Sequence, residues 1–292
     1  MNKPEKLPQR AATNPVVFSN PTAIAGQFSS IPALAAAPEG GFCMAYSGST
    51  NSQIWTTLSS DCVTWSSPNE IGQQTSVPAM ALFNGTLYML YTGSNSSQIY
   101  STTSTDGVNW TSANEIGQQT SIPALAAFGD ALCMVYSDSN SSQLWATQTS
   151  DGVNWTQAVQ ISGQYTSVPA LAVLGEYLCM VYSSSTSSQL YSTRSLDGLN
   201  WEPAQQISGQ GTSIPALASL DGYLYLVYSD AHSSQLWVST SPDGVNWSTA
   251  QAIPGQNTSV PALAASGNML CLAYSGSGNS QLYSSHLVSG PD

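Results

Sequence analysis

The chain has 292 residues, 41% of them hydrophobic and only 7% charged, with four Lys or Arg against sixteen Asp or Glu for a formal net charge of −12. Lys3, Lys6 and Arg10 fall at the start, so Arg194 is the single Lys or Arg in the rest of the chain. Phosphate-backbone binding depends on clustered cations, so nucleic acid is excluded as a partner and anionic membrane surfaces are disfavoured.

Residues 1–13 are polar, carry two prolines and contain no apolar signal-like core, so they read as a flexible leader. No apolar run approaches the length of a membrane span, so membrane insertion is not expected. The expected location is the cytoplasm, or outside the cell without a recognisable signal peptide. From residue 14 one unit repeats six times. Ser-[Ile/Val]-Pro-Ala recurs with its proline at Pro32, Pro78, Pro123, Pro169, Pro215 and Pro261, a period of 45 or 46 residues. A Tyr follows at Tyr46, Tyr91, Tyr136, Tyr182, Tyr228 and Tyr274, and then Ser-Gln-[Leu/Ile]-[Trp/Tyr].

Each unit resolves into four strands. The innermost starts at the proline, whose missing N–H costs least at the first position of a strand, and its alanines suit a crowded axis. A Gly, Asn or Asp turn such as Asn84-Gly85 leads to a second strand ending at the repeat Tyr. A Ser/Asn-rich loop leads to a third strand from the Gln, and an Asp-Gly turn such as Asp106-Gly107 to an outer strand. A period of about 40–50 residues with four strands per unit is the pattern of a β-propeller blade. The fold expected is therefore an all-β, six-bladed propeller of four-stranded antiparallel blades, one domain over residues 14–286, with 287–292 as a C-terminal tail.

The termini show how the ring closes. Trp65, Trp110, Trp155, Trp201 and Trp247 precede the next proline by 13 or 14 residues, and Phe18 precedes Pro32 by 14. The sixth unit lacks this outer strand, so the N-terminal segment is expected to complete the last blade and fasten the ring.

The cysteines follow the same register. Cys43, Cys133, Cys179 and Cys271 lie three residues before the repeat Tyr, where other units carry Tyr88 and Tyr225; Cys62 stands in place of the turn glycine. Equivalent points on different blades are expected to be too far apart for a bridge, which needs Cα atoms within about 7 Å. The cysteines therefore read as buried small hydrophobes without disulfides.

Loops segregate to two rims. One gathers Gln27, Gln73, Gln118, Gln164, Gln210 and Gln256, each five residues before its proline, with Thr75, Thr120, Thr166, Thr212, Thr258 or Ser29 close behind. The neighbouring loops add Gln53, Gln98, Gln143, Gln189, Gln235 and Gln281, and two residues further on Trp55, Tyr100, Trp145, Tyr191, Trp237 and Tyr283. Amides and hydroxyls can satisfy vicinal sugar hydroxyls while aromatic faces pack on sugar C–H groups, so these eighteen residues are the candidate sugar-binding set, arranged as up to six similar sites. The alternative reading stands beside it: Gln and Ser in β-loops can bond their own backbone, and the aromatics can fill the space between blades. Phe28, Gln74, Gln119, Tyr165, Gly211 and Asn257 vary from unit to unit and are the candidates for selectivity.

The other rim carries Ser-x-Asp-Gly-x-x-Trp, as in Ser104 to Trp110. It resembles the Asp-box of sialidases, with one residue fewer between Asp and Trp. The resemblance implies folded turns in which Asp61, Asp106, Asp151, Asp197 and Asp243 bond backbone amides. The whole arrangement also resembles propeller lectins of the tachylectin-2 type and the bacterial and fungal propeller lectins, in blade length, loop composition and multiplicity. That resemblance implies a multivalent glycan binder without catalysis, metal or cofactor.

An enzymatic reading finds little support. By the same resemblance a sialidase needs three arginines around the substrate carboxylate, and only Arg10 and Arg194 exist. Glu70, Glu115, Asp138 and Asp230 near the ligand rim show no paired pattern, and His232 and His286 are single. A protein-interaction platform remains the other non-enzymatic reading; large patches differing between blades would distinguish it from this uniform, neutral rim.

Overall fold

A computed structural model describes residues 14–29, 31–48, 52–74, 78–93, 98–138, 141–165, 168–185, 187–211, 214–230, 233–258 and 260–291, and leaves aside the side chains of residues 74, 119–122 and 210–211. Lys3, Lys6, Arg10, Thr75, Thr166, Thr212 and His232 lie outside the described residues. Among those described there is no helix, and antiparallel strands build six blades.

Blade 4 shows the pattern: Pro169–Leu174 innermost, then Tyr177–Ser183, Gln189–Ser195 and Gln205–Gly211. Burial falls outward. The second strand is buried on both faces after its first residue, because a neighbouring blade covers each side, and its sequence is accordingly a near-continuous apolar run. The third strand alternates over its first four residues, and the outer strands bury an Ile in the middle, such as Ile161 or Ile207, with Gln164 also buried further along its strand. Inner hairpins turn where the backbone needs positive φ at two successive residues, as at Asn84 and Gly85 (φ 49° and 74°), which favours Asn-Gly.

Inner strands pack side by side around the axis, and the sixth, Pro261–Ser266, packs on the first, Pro32–Ala36. The hydrophobic core is correspondingly divided into six clusters, one at each blade interface. Between blades 4 and 5, for example, Val181, Leu190 and Ile207 meet Leu217, Leu224 and Leu226. Burying a side chain of this size stabilises by about 1.5–3 kcal/mol, so each interface contributes substantially. The connection between blades 2 and 3 is itself extended, so one strand, Asn114–Phe128, serves both.

The N-terminal segment completes blade 6. Thr22–Phe28 pairs with Gln281–Ser289 in the register used by the outer strands elsewhere: Ala23 faces Tyr283 as Gln206 faces Tyr191. Val17–Phe18 extends the pairing to Leu287 and Ser289, so the third strand runs three residues past 286 into the expected tail. His286 lies within this strand, its Nδ1 3.3 Å from Ser19 Oγ.

One expectation is corrected. Cys62 and Cys271 form a disulfide across the interface of blades 6 and 1, with Cα atoms 5.7 Å apart. They are not equivalent points: the turn of one blade rests on the second strand of the blade before it. The same contact recurs around the ring. A Cβ placed on Gly198 would lie 2.8 Å from Cys133 Sγ, and one on Gly244 2.9 Å from Cys179 Sγ. Cys43, Cys133 and Cys179 are free and buried as expected, and burial pushes their thiols up to about 12, 11 and 12.

Candidate functional site

The aromatic series lies at the blade interfaces. Each member pairs across strands with the repeat Tyr: Trp55 with Tyr46, Trp145 with Tyr136, Trp237 with Tyr228. Where the partner is a second Tyr the rings stack, with centroids 5.8 Å apart for Tyr91–Tyr100, 5.7 Å for Tyr182–Tyr191 and 5.6 Å for Tyr274–Tyr283. All six aromatics are half-buried, so an edge or face of each reaches solvent. Burial raises the phenols of the repeat Tyr, Tyr182 to about 12, so they stay neutral at physiological pH.

Among the described residues, equivalent cavities open at two successive blade interfaces. One, of about 550 Å³ between blades 3 and 4, is lined by Tyr182, Tyr191 and Trp201 against the strand Val159–Gln164. The other, of about 500 Å³ between blades 4 and 5, is lined by Tyr228, Trp237 and Trp247 against Gln206–Gly209, with Asp230 at its rim. Three aromatic rings facing a polar strand suit a small amphipathic ligand with hydroxyls on its edge and C–H groups on its face. Trp237 Nε1 is buried without a hydrogen-bond partner among the described residues.

The glutamines stand at the same interfaces, yet their amides are largely turned to the framework. Gln143, Gln235 and Gln281 Nε2 each donate to carbonyls of their own and the adjacent outer strand, for instance Gln143 to Ile161 O at 2.6 Å and Gln281 to Ile24 O at 2.7 Å. Each tacks a strand bulge onto its neighbour, where carbonyls would otherwise be left unbonded. Gln53, Gln98 and Gln189 begin the same strand in their blades, and Gln189 Oε1 accepts from Gln206 at 3.0 Å.

The other series crosses between blades. Gln27 Nε2 donates to Ser66 O at 3.2 Å, Gln73 to Thr111 O at 3.3 Å, and Gln256 to Ser19 O at 3.2 Å. Gln164 is buried and Gln118 half-buried at the same position, while the side chain of Gln210 lies outside the described residues. Of the variable positions, Phe28 and Tyr165 are 43% and 48% exposed on the rim.

The Asp-box forms the turn that the resemblance implies. Asp106 Oδ1 accepts from the N–H groups of Val108 and Asn109 at 2.8 and 2.7 Å, and Oδ2 from Asn109 Nδ2 at 2.7 Å. Asp151, Asp197 and Asp243 repeat it. The Asn109 and Asn154 amides hold Asp106 and Asp151 well below the usual carboxylate range. At Asp197 burial works upward, but its bonds from Asn200 and Leu199 win and bring it to about 2.

The box Trp residues, which read as turn residues in the sequence, are walls of the cavities. Trp201 and Trp247 follow Tyr191 and Trp237 by ten residues, and the hairpin return brings them back beside those rings. Trp247 Nε1 reaches Ser192 Oγ on the preceding blade at 3.2 Å, as Trp65 reaches Ser284 at 2.9 Å. Trp201 faces Ala146 at that position, and its buried Nε1 has no partner among the described residues.

The chain thus has the six-bladed propeller architecture with aromatic cavities between blades. No protein-family model matches the sequence, and no curated protein matches it. Similar solved structures include the lectin of Aleuria aurantia, a six-bladed fungal propeller with a described fucose recognition mode (15% identity, 92% of this chain and 94% of that one, TM-score 0.72). The NanB sialidase of Streptococcus pneumoniae (13% identity, 97% and 71%, TM-score 0.67) and a Hadza microbial sialidase (14% identity, 89% and 66%, TM-score 0.67) share it too. This chain spans about two thirds of the length of those sialidases. At these identities the likeness is one of fold.

Proposed function

We propose that the protein is a multivalent carbohydrate-binding protein, a lectin without catalysis, whose ligands are glycans or glycoconjugates held between blades. The observation that carries this reading is the recurrence of one aromatic cavity, at two successive interfaces of about 550 and 500 Å³, within a chain that repeats the same residues six times. Repetition of a weak site is useful where many ligands share a surface, since linked binding multiplies affinity without new contacts. Tyr191, Trp237 and their equivalents supply the stacking faces, and the glutamines hold the strands that frame them.

Sialidases share the fold, and Arg194 weighs against that activity here. It pairs with Glu202 at 2.9 Å, donates to the Asp243 carbonyl at 3.0 Å and lies over the Tyr177 ring at 4.2 Å. A guanidinium so engaged is not available as a substrate clamp, and it is the sole Lys or Arg among the described residues. Of the two locations open to the chain, the Cys62–Cys271 bridge favours an oxidising one outside the cytosol.

A broad glycan array with the purified protein tests the reading. Binding to one terminal sugar class, competed by the free sugar and weakened by Trp237→Ala, is the expected result. A blank array at high protein density, or release of sialic acid from a sialoside, overturns it.

A further inference from the structure

The six aromatic lips are not chemically equal. Strand register places one outer-strand residue directly across from each ring: Glu70 across from Trp55, Glu115 from Tyr100, Gln160 from Trp145, Gln206 from Tyr191, Ala252 from Trp237 and Ala23 from Tyr283. Residues paired across antiparallel strands share a face and sit about 4.5–5.5 Å apart at Cβ. Within each blade's own sheet the order around the ring is therefore two carboxylates, two amides and two methyls, and within each pair one ring is Trp and the other Tyr; Gln160 and Gln206 also border the cavities of the next rings, Tyr191 and Trp237. All six of these residues are exposed. No described Lys or Arg faces these lips, since Arg194 is tied to Glu202 and Asp243.

We propose that Glu70 and Glu115 make blades 1 and 2 selective for sugars bearing a free, protonated amine, the ring stacking on Trp55 or Tyr100 and the ammonium meeting the carboxylate. This rests on the lectin reading and refines it. A cationic head beside an aromatic face is favoured by the ring quadrupole as well as by the carboxylate, whereas an acetylated amine keeps only the stacking. The amide lips of blades 3 and 4 offer neutral hydrogen bonds and discriminate by hydroxyl pattern. Carboxylated or sulfated sugars meet repulsion at the first pair and no cation at the others.

The chain contains its own control, because Glu→Gln at the acidic lips reproduces what blades 3 and 4 already carry. Titrate the whole protein calorimetrically at pH about 6 and low salt with a glucosamine oligomer and with its N-acetylated counterpart. The free-amine oligomer is expected to bind about fivefold more tightly, the scale of one partly exposed ion pair. That preference should vanish in Glu70→Gln/Glu115→Gln and grow in Gln160→Glu/Gln206→Glu. Glu39→Gln/Asp130→Asn, which removes the same charge from exposed turns on the opposite rim, should leave it unchanged. Equal binding of the two oligomers, or a preference that survives the first double variant or is lost in the rim control, overturns the inference. If neutral glycans still bind in that case, the lectin reading stands; if no glycan binds at all, both fall.

Discussion

At the interface of blades 3 and 4, Gly198 rests on the thiol of Cys133; at the interface of blades 6 and 1, the same two positions are Cys62 and Cys271, and they are joined. The contrast matters because the second interface is where the ring closes. Elsewhere consecutive blades are tethered by the chain itself. At the seam, blade 6 is tied to the ring by its borrowed strand, Thr22–Phe28, and by a bridge spanning 209 residues of sequence. Cys62 keeps the left-handed backbone of its sibling glycines, φ 61°, which a side chain adopts at a cost. The covalent bond offsets that cost.

Cys62→Gly turns the seam into an ordinary interface, with Cys271 a buried free thiol like Cys133. The loss should be about 2–4 kcal/mol, or roughly 5–10 °C in thermal midpoint for a domain of this size. Reducing the wild type should give a similar drop and leave the variant unmoved; an unchanged midpoint would mean that the borrowed strand alone closes the ring.

Gly198→Cys is the reverse experiment. Its Cβ would lie 3.8 Å from that of Cys133, the usual separation across a disulfide. Denatured-state thiol titration should find two free thiols in place of three, with a midpoint raised by about 3–6 °C. Four free thiols under oxidising conditions would show that the contact is looser than this geometry.

The Asp-box turns are common to ordinary interfaces and seam alike, so their acid sensitivity should not distinguish the two. Asp106, Asp151 and Asp197 have depressed pKa values in the folded protein. Their contribution is present above the unfolded carboxylate pKa of about 3.9 and is lost as pH falls through the folded values, about 2 for Asp197. Thermal midpoints should therefore fall from about pH 5 to about pH 2 in the wild type and Cys62→Gly alike. A flat profile would remove the boxes from the stability account.

The smallest expected effect compares two ordinary interfaces. Ala146→Ser places at Trp201 the hydroxyl that Ser192 offers Trp247, but Ser101 stands at that position before Trp155 without bonding its Nε1, so the gain should stay below about 1 kcal/mol. Ser192→Ala should lose a similar amount by chemical denaturation. If both are neutral, water serves these indoles equally well.

Much of the fold is legible because every local signal repeats. The prolines, Asn84-Gly85 and the alternating third strand each specify their strand or turn from near neighbours alone, and Phe18 standing fourteen residues before Pro32 reveals the borrowed strand. The candidate site is less legible. Gln143 and Gln256 look like ligand groups in sequence, but whether an amide meets sugar or carbonyl depends on where a bulge leaves a carbonyl unbonded. Trp201 and Trp247 look like turn residues, yet they wall the cavities.

Six blades, their strand order and the way the ends meet all follow from periodicity alone. The Cys62–Cys271 pairing and the walls of the cavities come instead from the packing of blade on blade. Those depend on how one blade is set against the next, and a contact between non-equivalent positions of neighbouring repeats leaves no mark on the period of either.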